Sequence, residues 1–104
     1  MSDRASDATP IIIDVPVNVG DADVRRALLE RVRTLVARPP THILLNVEAL
    51  KAADTEQLGA IIQAYIIVTK NGGAVGLVNV TPRLRRLLTI TKVDKIIGAV
   101  TPDG

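Results

Sequence analysis

The chain has 104 residues, the size of one ordinary domain and enough to bury a single core; 47% of it is hydrophobic, yet it holds no Trp, no Phe and one Tyr, so the core must be aliphatic and the aromatic platforms used to stack single-stranded nucleic acids are missing. With 13 basic and 11 acidic side chains the formal net charge is +2, too small to point to nucleic acid or a charged membrane surface as a partner. The absence of cysteine excludes disulfides, thiol nucleophiles and Cys-based zinc sites and suits a reducing compartment, so a cytoplasmic protein is expected.

Residues 1–9 are polar and aperiodic and predict a disordered tail, without the basic and apolar regions of a secretion signal. A single domain is expected over residues 10–104. Ile11-Ile12-Ile13-Asp14-Val15 is β-branched, and Pro16 removes a ladder donor, which predicts an edge strand or a strand that ends there. Asp21 or Asp23 then caps a helix with Val24, Leu28, Val32, Leu35 and Val36 on one face and most of its arginines off it, and Pro39-Pro40 stop it. His42 to Val47 is a nearly unbroken apolar run, as in a central strand covered on both faces, and it implies a parallel sheet.

A second helix is expected from Asp54 or Thr55 to about Lys70, with Leu58, Ile61, Ile62, Tyr65 and Ile66 inward, ended by Asn71-Gly72-Gly73. Ala74 to Val80 reads as a third strand. Thr81-Pro82 opens a third helix with Leu84, Leu87 and Leu88 inward. Ile96 to Val100 is expected to form a last short strand or turn. Strands and helices alternate, so the predicted fold is α/β: one domain with a mixed or mainly parallel sheet of about four strands and helices packed on it. No apolar run approaches the ~20 residues of a membrane span, so no membrane insertion is expected.

The residues at Asp54-Thr55-Glu56-Gln57 admit two readings. Asp54 can cap the helix, with Gln57 three residues on completing a capping-box pair. Thr55 also places a hydroxyl at a helix entrance, where unpaired N–H groups and the positive end of the dipole tolerate added negative charge, as a phosphosite requires.

Elsewhere the sequence offers little catalytic chemistry. His42 is the single imidazole and stands beside Thr41 at a strand start, the setting of a solvated structural histidine. Asn71-Gly72-Gly73 follows a helix instead of preceding one, so it is a turn and not a phosphate cradle. There is no metal-ligand cluster and no Gly-x-Ser-x-Gly elbow. Expected catalytic, cofactor-binding and metal-binding residues are therefore none, and the protein is not expected to be an enzyme. Arg83, Arg85 and Arg86 form a basic cluster on the third helix, read either as a solvated face or as a contact for an acidic partner.

An apolar strand, a short loop, Asp54-Thr55-x-x-Leu58-Gly59 on an apolar helix, Asn71-Gly72-Gly73, a strand ending Leu77-Val78-Asn79-Val80, and the run from Thr81 to Ile97 together resemble the STAS domain family of bacterial anti-sigma factor antagonists. The resemblance covers about residues 11–101. It implies a regulatory protein that binds an anti-sigma factor which is itself a serine/threonine kinase, frees the sigma factor, and is switched by phosphorylation of the hydroxyl residue after the Asp, here Thr55. Asp54, Thr55, Glu56, Gln57, Leu58 and Gly59 are the implied partner-binding residues. The kinase would bring the ATP and magnesium, so this chain is expected to carry no cofactor.

Departures from the family pattern are specific. Many members have Asp-Ser-Ser-Gly-Leu-Gly or Asp-Ser-Thr-Gly-Leu-Gly, and here Glu56 and Gln57 replace the second hydroxyl residue and the first Gly. Asn46 stands where an acid is frequent, and the amino-terminal hairpin is shortened to one strand. The alternative implied by the same resemblance is a non-phosphorylated structural subunit of a stress-signalling scaffold or of a lipid-transport ATPase complex, with homo-oligomer formation left open.

Overall fold

The computed structural model describes residues 10–38, 41–93 and 95. Within them three strands and three helices alternate: β1 (Ile11–Asp14), α1 (Ala22–Val36), β2 (His42–Asn46), α2 (Thr55–Lys70), β3 (Ala74–Val78) and α3 (Pro82–Ile90). The strands form one sheet in the order β1-β2-β3. Both pairings are parallel, with Ile13 opposite Leu45 and Leu45 opposite Leu77. The α/β class holds, and among the described residues the sheet is wholly parallel with three strands; the strand or turn expected at Ile96 to Val100 lies outside the described residues, as does the expected tail at residues 1–9.

Parallel neighbours need crossovers, and here each is a helix. Crossovers are almost always right-handed, so two successive ones moving in one direction across the sheet leave their helices on the same face. α1 and α2 accordingly pack against each other. The core beneath them is aliphatic: Ile13, Ile43, Leu45 and Leu77 from the strands meet Leu28, Val32 and Val36 of α1 and Leu58, Ala60, Ile61, Ala64 and Val68 of α2.

The opposite face of the sheet is less covered than the apolar run in β2 suggests. Ile43 and Leu45 are buried, whereas Leu44 and Asn46 are half-buried. Ile12, on the same face as Leu44, is 59% exposed, so alternation along β2 separates a sealed face from a partly open one. β1 lies at a sheet edge and ends before Pro16, as the missing N–H requires.

Local signals account for the helix ends. Asp21, not Asp23, caps α1, its carboxylate accepting from Asp23 N at 3.4 Å. α1 buries Leu29 beyond the predicted stripe and leaves Val24 and Leu35 partly buried. In α2, Ile66 is exposed while Ala60, Ala64 and Val68 are buried; small residues let the helix sit close to its neighbours, so the buried stripe is wider and shifted from the one the large side chains mark.

The turn after α2 needs its glycines. Gly72 has φ +80°, and the N–H groups of Gly72 and Gly73 donate to Thr69 O and Val68 O, closing the helix with a left-handed residue. A Cβ on Gly73 would lie 2.7 Å from the carbonyl oxygen of Thr41, so only glycine lets β3 start alongside β2. Thr41 is buried, its hydroxyl donating to Arg38 O at 3.0 Å.

Candidate functional site

The carboxyl ends of the three strands and the amino ends of the helices that follow them share one edge of the sheet, where open α/β sheets place their sites. Thr55 lies there as the first residue of α2. Its position is set by the residue before it: Asp54 has an extended backbone, φ −126° and ψ 176°, and its carboxylate accepts from Gln57 N at 2.8 Å. The Gln57 side-chain oxygen accepts from Asp54 N at 3.1 Å. This reciprocal capping box satisfies orphan donors of the first turn and leaves the Thr55 hydroxyl free of the task. The two readings of this segment are therefore geometrically compatible, with Asp54 as cap and Thr55 beside it.

Gln57 does a second job. Its side-chain nitrogen donates to Val17 O at 2.8 Å, tying the entrance of α2 to the segment between β1 and α1. Gly20 of that segment packs so close that a Cβ on it would meet Glu56 Cβ at 3.2 Å. Arg25 of α1 donates to Gly20 O at 3.3 Å. Ala53, just before the cap, is held at φ +38°, a conformation unfavourable to a residue with a Cβ, and the loop turns there into the helix.

The six residues expected to form the partner surface divide by burial. Asp54, Thr55 and Glu56 are exposed and Gly59 is half-buried, whereas Gln57 and Leu58 are buried at 6% and 4% exposure. The first group is the outward part of the helix entrance. Gln57 and Leu58 hold it from beneath, one by hydrogen bonds and one in the core.

Beside this patch runs a polar row that sequence reasoning did not assemble. Asn46, at the end of β2, donates to Asp14 Oδ1 at the end of β1 (2.9 Å). Its amide oxygen accepts from Asn79 Nδ2 after β3 (3.0 Å) and from Glu48 N (3.2 Å). The backbone donor at Glu48 fixes which way the Asn46 amide points. Asn79 has φ +59°, a conformation asparagine tolerates better than most residues. The signal available in the sequence was a polar residue at the carboxyl end of each apolar run. Asn46 in place of an acid also acquires a reason: an aspartate there would face the Asp14 carboxylate.

The single histidine stays apart from this edge. His42 is exposed at the start of β2, at the opposite end of the strand from Asn46. No group of His, Cys, Asp and Glu among the described residues could hold a metal ion. No described helix is long and apolar enough to cross a membrane.

Fold and site together define a small parallel α/β domain that presents a capped helix entrance, with an exposed hydroxyl, at the carboxyl edge of its sheet. The STAS domain family model matches residues 20–103, and the chain belongs to that family. Over 56 residues it is 32% identical to a protein of Paenibacillus polymyxa named anti-sigma F factor antagonist, a match covering 54% of this chain and 48% of that protein. The chain thus matches about half the length of that relative. No solved structure matches this chain at comparable significance.

Proposed function

We propose that this protein is an anti-sigma factor antagonist-like regulator that binds an anti-sigma factor with serine/threonine kinase activity, and that phosphorylation of Thr55 switches the binding off. The observation that carries the reading is the division of labour at the entrance of α2: Asp54 and Gln57 cap the helix, so the exposed Thr55 hydroxyl is available to a kinase without loss of the cap. Membership of the STAS family and the likeness to an anti-sigma F factor antagonist support the same reading. The contact surface is formed by Asp54, Thr55, Glu56 and Gly59, with Gln57 and Leu58 as its support. The protein works by binding; the chemistry of phosphoryl transfer belongs to the partner.

A phosphate would add about −1.5 to −2 charge at a helix N-terminus that tolerates it, while opposing an acidic or desolvated partner surface. Incubation with a candidate anti-sigma factor kinase and ATP, followed by intact-mass spectrometry, is expected to add one phosphate to the parent chain and none to Thr55→Ala. Complex formation equally strong for the parent and Thr55→Glu would remove the switch from the account.

Glu56 favours a second reading. It places a fixed negative charge next to Thr55 and packs on Gly20, so the same face can serve constitutive assembly, as in a structural subunit of a signalling scaffold or a lipid-transport ATPase complex. Self-association by light scattering, with no phosphate gained from any co-expressed kinase, would favour this reading over the first.

A further inference from the structure

Among the described residues, three of the four arginines of α1 have partners, Arg31 being the exception, and none of the three arginines of α3 does. On α1, Arg26 pairs with Asp23 at 3.2 Å and Arg33 with Glu30 at 3.4 Å, and Arg25 donates to Gly20 O. On α3 the sequence PRLRRLLTI contains no acid, and Arg83, Arg85 and Arg86 make no ion pair with any described residue. Among the described residues, three guanidinium groups therefore stand without an acidic partner on one short helix.

They stand beside apolar surface. Val80, Pro82, Arg85, Arg86, Thr89 and Ile90 line an open groove of about 550 Å³. Pro82, Arg83 and Arg86 line a neighbouring depression of about 330 Å³. Pro82 and Arg86 are shared by the two. Pro82, Arg86 and Ile90 follow one another at four-residue spacing and so form a single stripe along the helix. Ile90 is 68% exposed, and Val80, only 9% exposed, lies among the groove's lining residues. The helix is anchored at its start by Thr81, whose hydroxyl donates to Leu50 O at 2.8 Å.

We infer that this face of α3 is a docking site for an acidic amphipathic helix of a partner protein. An apolar side chain of that helix enters the groove over Val80 and Pro82 and another covers Ile90, while carboxylates on its flanks take the guanidinium groups of Arg85 and Arg86, a geometry arginine satisfies with paired hydrogen bonds. Charge complementarity selects the occupant: the face supplies only cations, so the partner supplies the anions. A single-stranded nucleic acid would meet exposed Ile90 and Pro82 with no aromatic ring to stack on; duplex DNA and an anionic lipid surface are outcomes of the test below. None of the residues lining the groove belongs to the Asp54–Gly59 surface, and the groove's occupancy does not depend on the phosphorylation reading.

The test uses the full chain and a fluorescently labelled synthetic helical peptide with Leu on one face and Glu flanking it, compared with the same peptide carrying Gln for Glu. Anisotropy is expected to show saturable binding of the Glu peptide that weakens with added salt, and binding of the Gln peptide weaker by about tenfold. Arg86→Glu is expected to cost about tenfold or more and Ile90→Ser a smaller factor. Arg33→Glu on α1 and Thr55→Ala should bind as the parent does, which separates this result from the fate of the Thr55 switch. Arg86→Gln and a thermal melt of each variant guard against misfolding. Equal affinity for the two peptides, indifference to both Arg86 variants, or Arg86-dependent binding of anionic vesicles or duplex DNA without peptide binding would overturn the proposal.

Discussion

The Gln57 side chain donates to the carbonyl oxygen of Val17 at 2.8 Å while its own oxygen accepts from Asp54 N, so one buried amide holds both the cap of α2 and the segment after β1. Gln57→Leu keeps the approximate volume but leaves the Val17 carbonyl and the Asp54 N–H without this partner. Destabilisation of about 2 kcal/mol is expected, read from chemical denaturation. Gln57→Glu retains the acceptor for Asp54 N but turns a carboxylate towards a carbonyl, and should be destabilised as well.

Asp54→Ala removes the side chain that accepts from Gln57 N. About 1 kcal/mol of stability should be lost, and Asp54→Asn should lose less because its amide oxygen can still accept. If Thr55 is a kinase substrate, the alanine variant should also be phosphorylated more slowly, since the hydroxyl then sits on a frayed first turn. Thermal melts and a phosphorylation time course measure the two effects.

The contact between Asn46 and Asp14 predicts a compensated pair. Asn46→Asp replaces a donor 2.9 Å from a carboxylate with a second carboxylate. A loss of about 1 kcal/mol is expected at neutral pH, modest because both groups reach solvent. Adding Asp14→Asn should restore most of it, so a double-mutant cycle should return a coupling of opposite sign to the single losses.

Two glycines should respond in opposite directions. Gly73→Ala drives a Cβ to within 2.7 Å of Thr41 O and 2.9 Å of Val68 Cγ1, and a loss of about 1–3 kcal/mol is expected. Gly59 lies inside α2 with nothing within 4 Å of a would-be Cβ, so Gly59→Ala should stabilise by about 0.5–1 kcal/mol. If Gly59 belongs to the partner surface, the same variant should bind its partner more weakly despite its higher melting temperature.

Thr81 couples α3 to the loop that leads into α2. It is 9% exposed, donates to Leu50 O at 2.8 Å and accepts from Leu84 N at 3.4 Å. Thr81→Val should cost about 1–3 kcal/mol by stranding a buried carbonyl and the helix cap, whereas Thr81→Ser should retain most of the stability. Denaturation of the two variants side by side distinguishes the hydroxyl from the methyl group.

Short-range patterns determined much of this protein without help from its tertiary structure. The α/β alternation, the aliphatic core, the Asp54–Gln57 capping box, the Thr81 cap with Pro82 behind it and the Asn71-Gly72-Gly73 stop each rest on residues within a few positions of one another, where backbone geometry alone brings the partners together. The tertiary structure decided what distant residues do to the site. Parallel register aligned Asp14, Asn46 and Asn79 into one hydrogen-bonded row, and the crossover placed Val17 and Gly20 against the entrance of α2. It turned Leu58 and Gln57 inward and left Asp54, Thr55 and Glu56 to face outward. It also left the apolar run of β2 half open on one side, because covering a strand depends on which elements cross over it and not on the hydrophobicity of the strand itself.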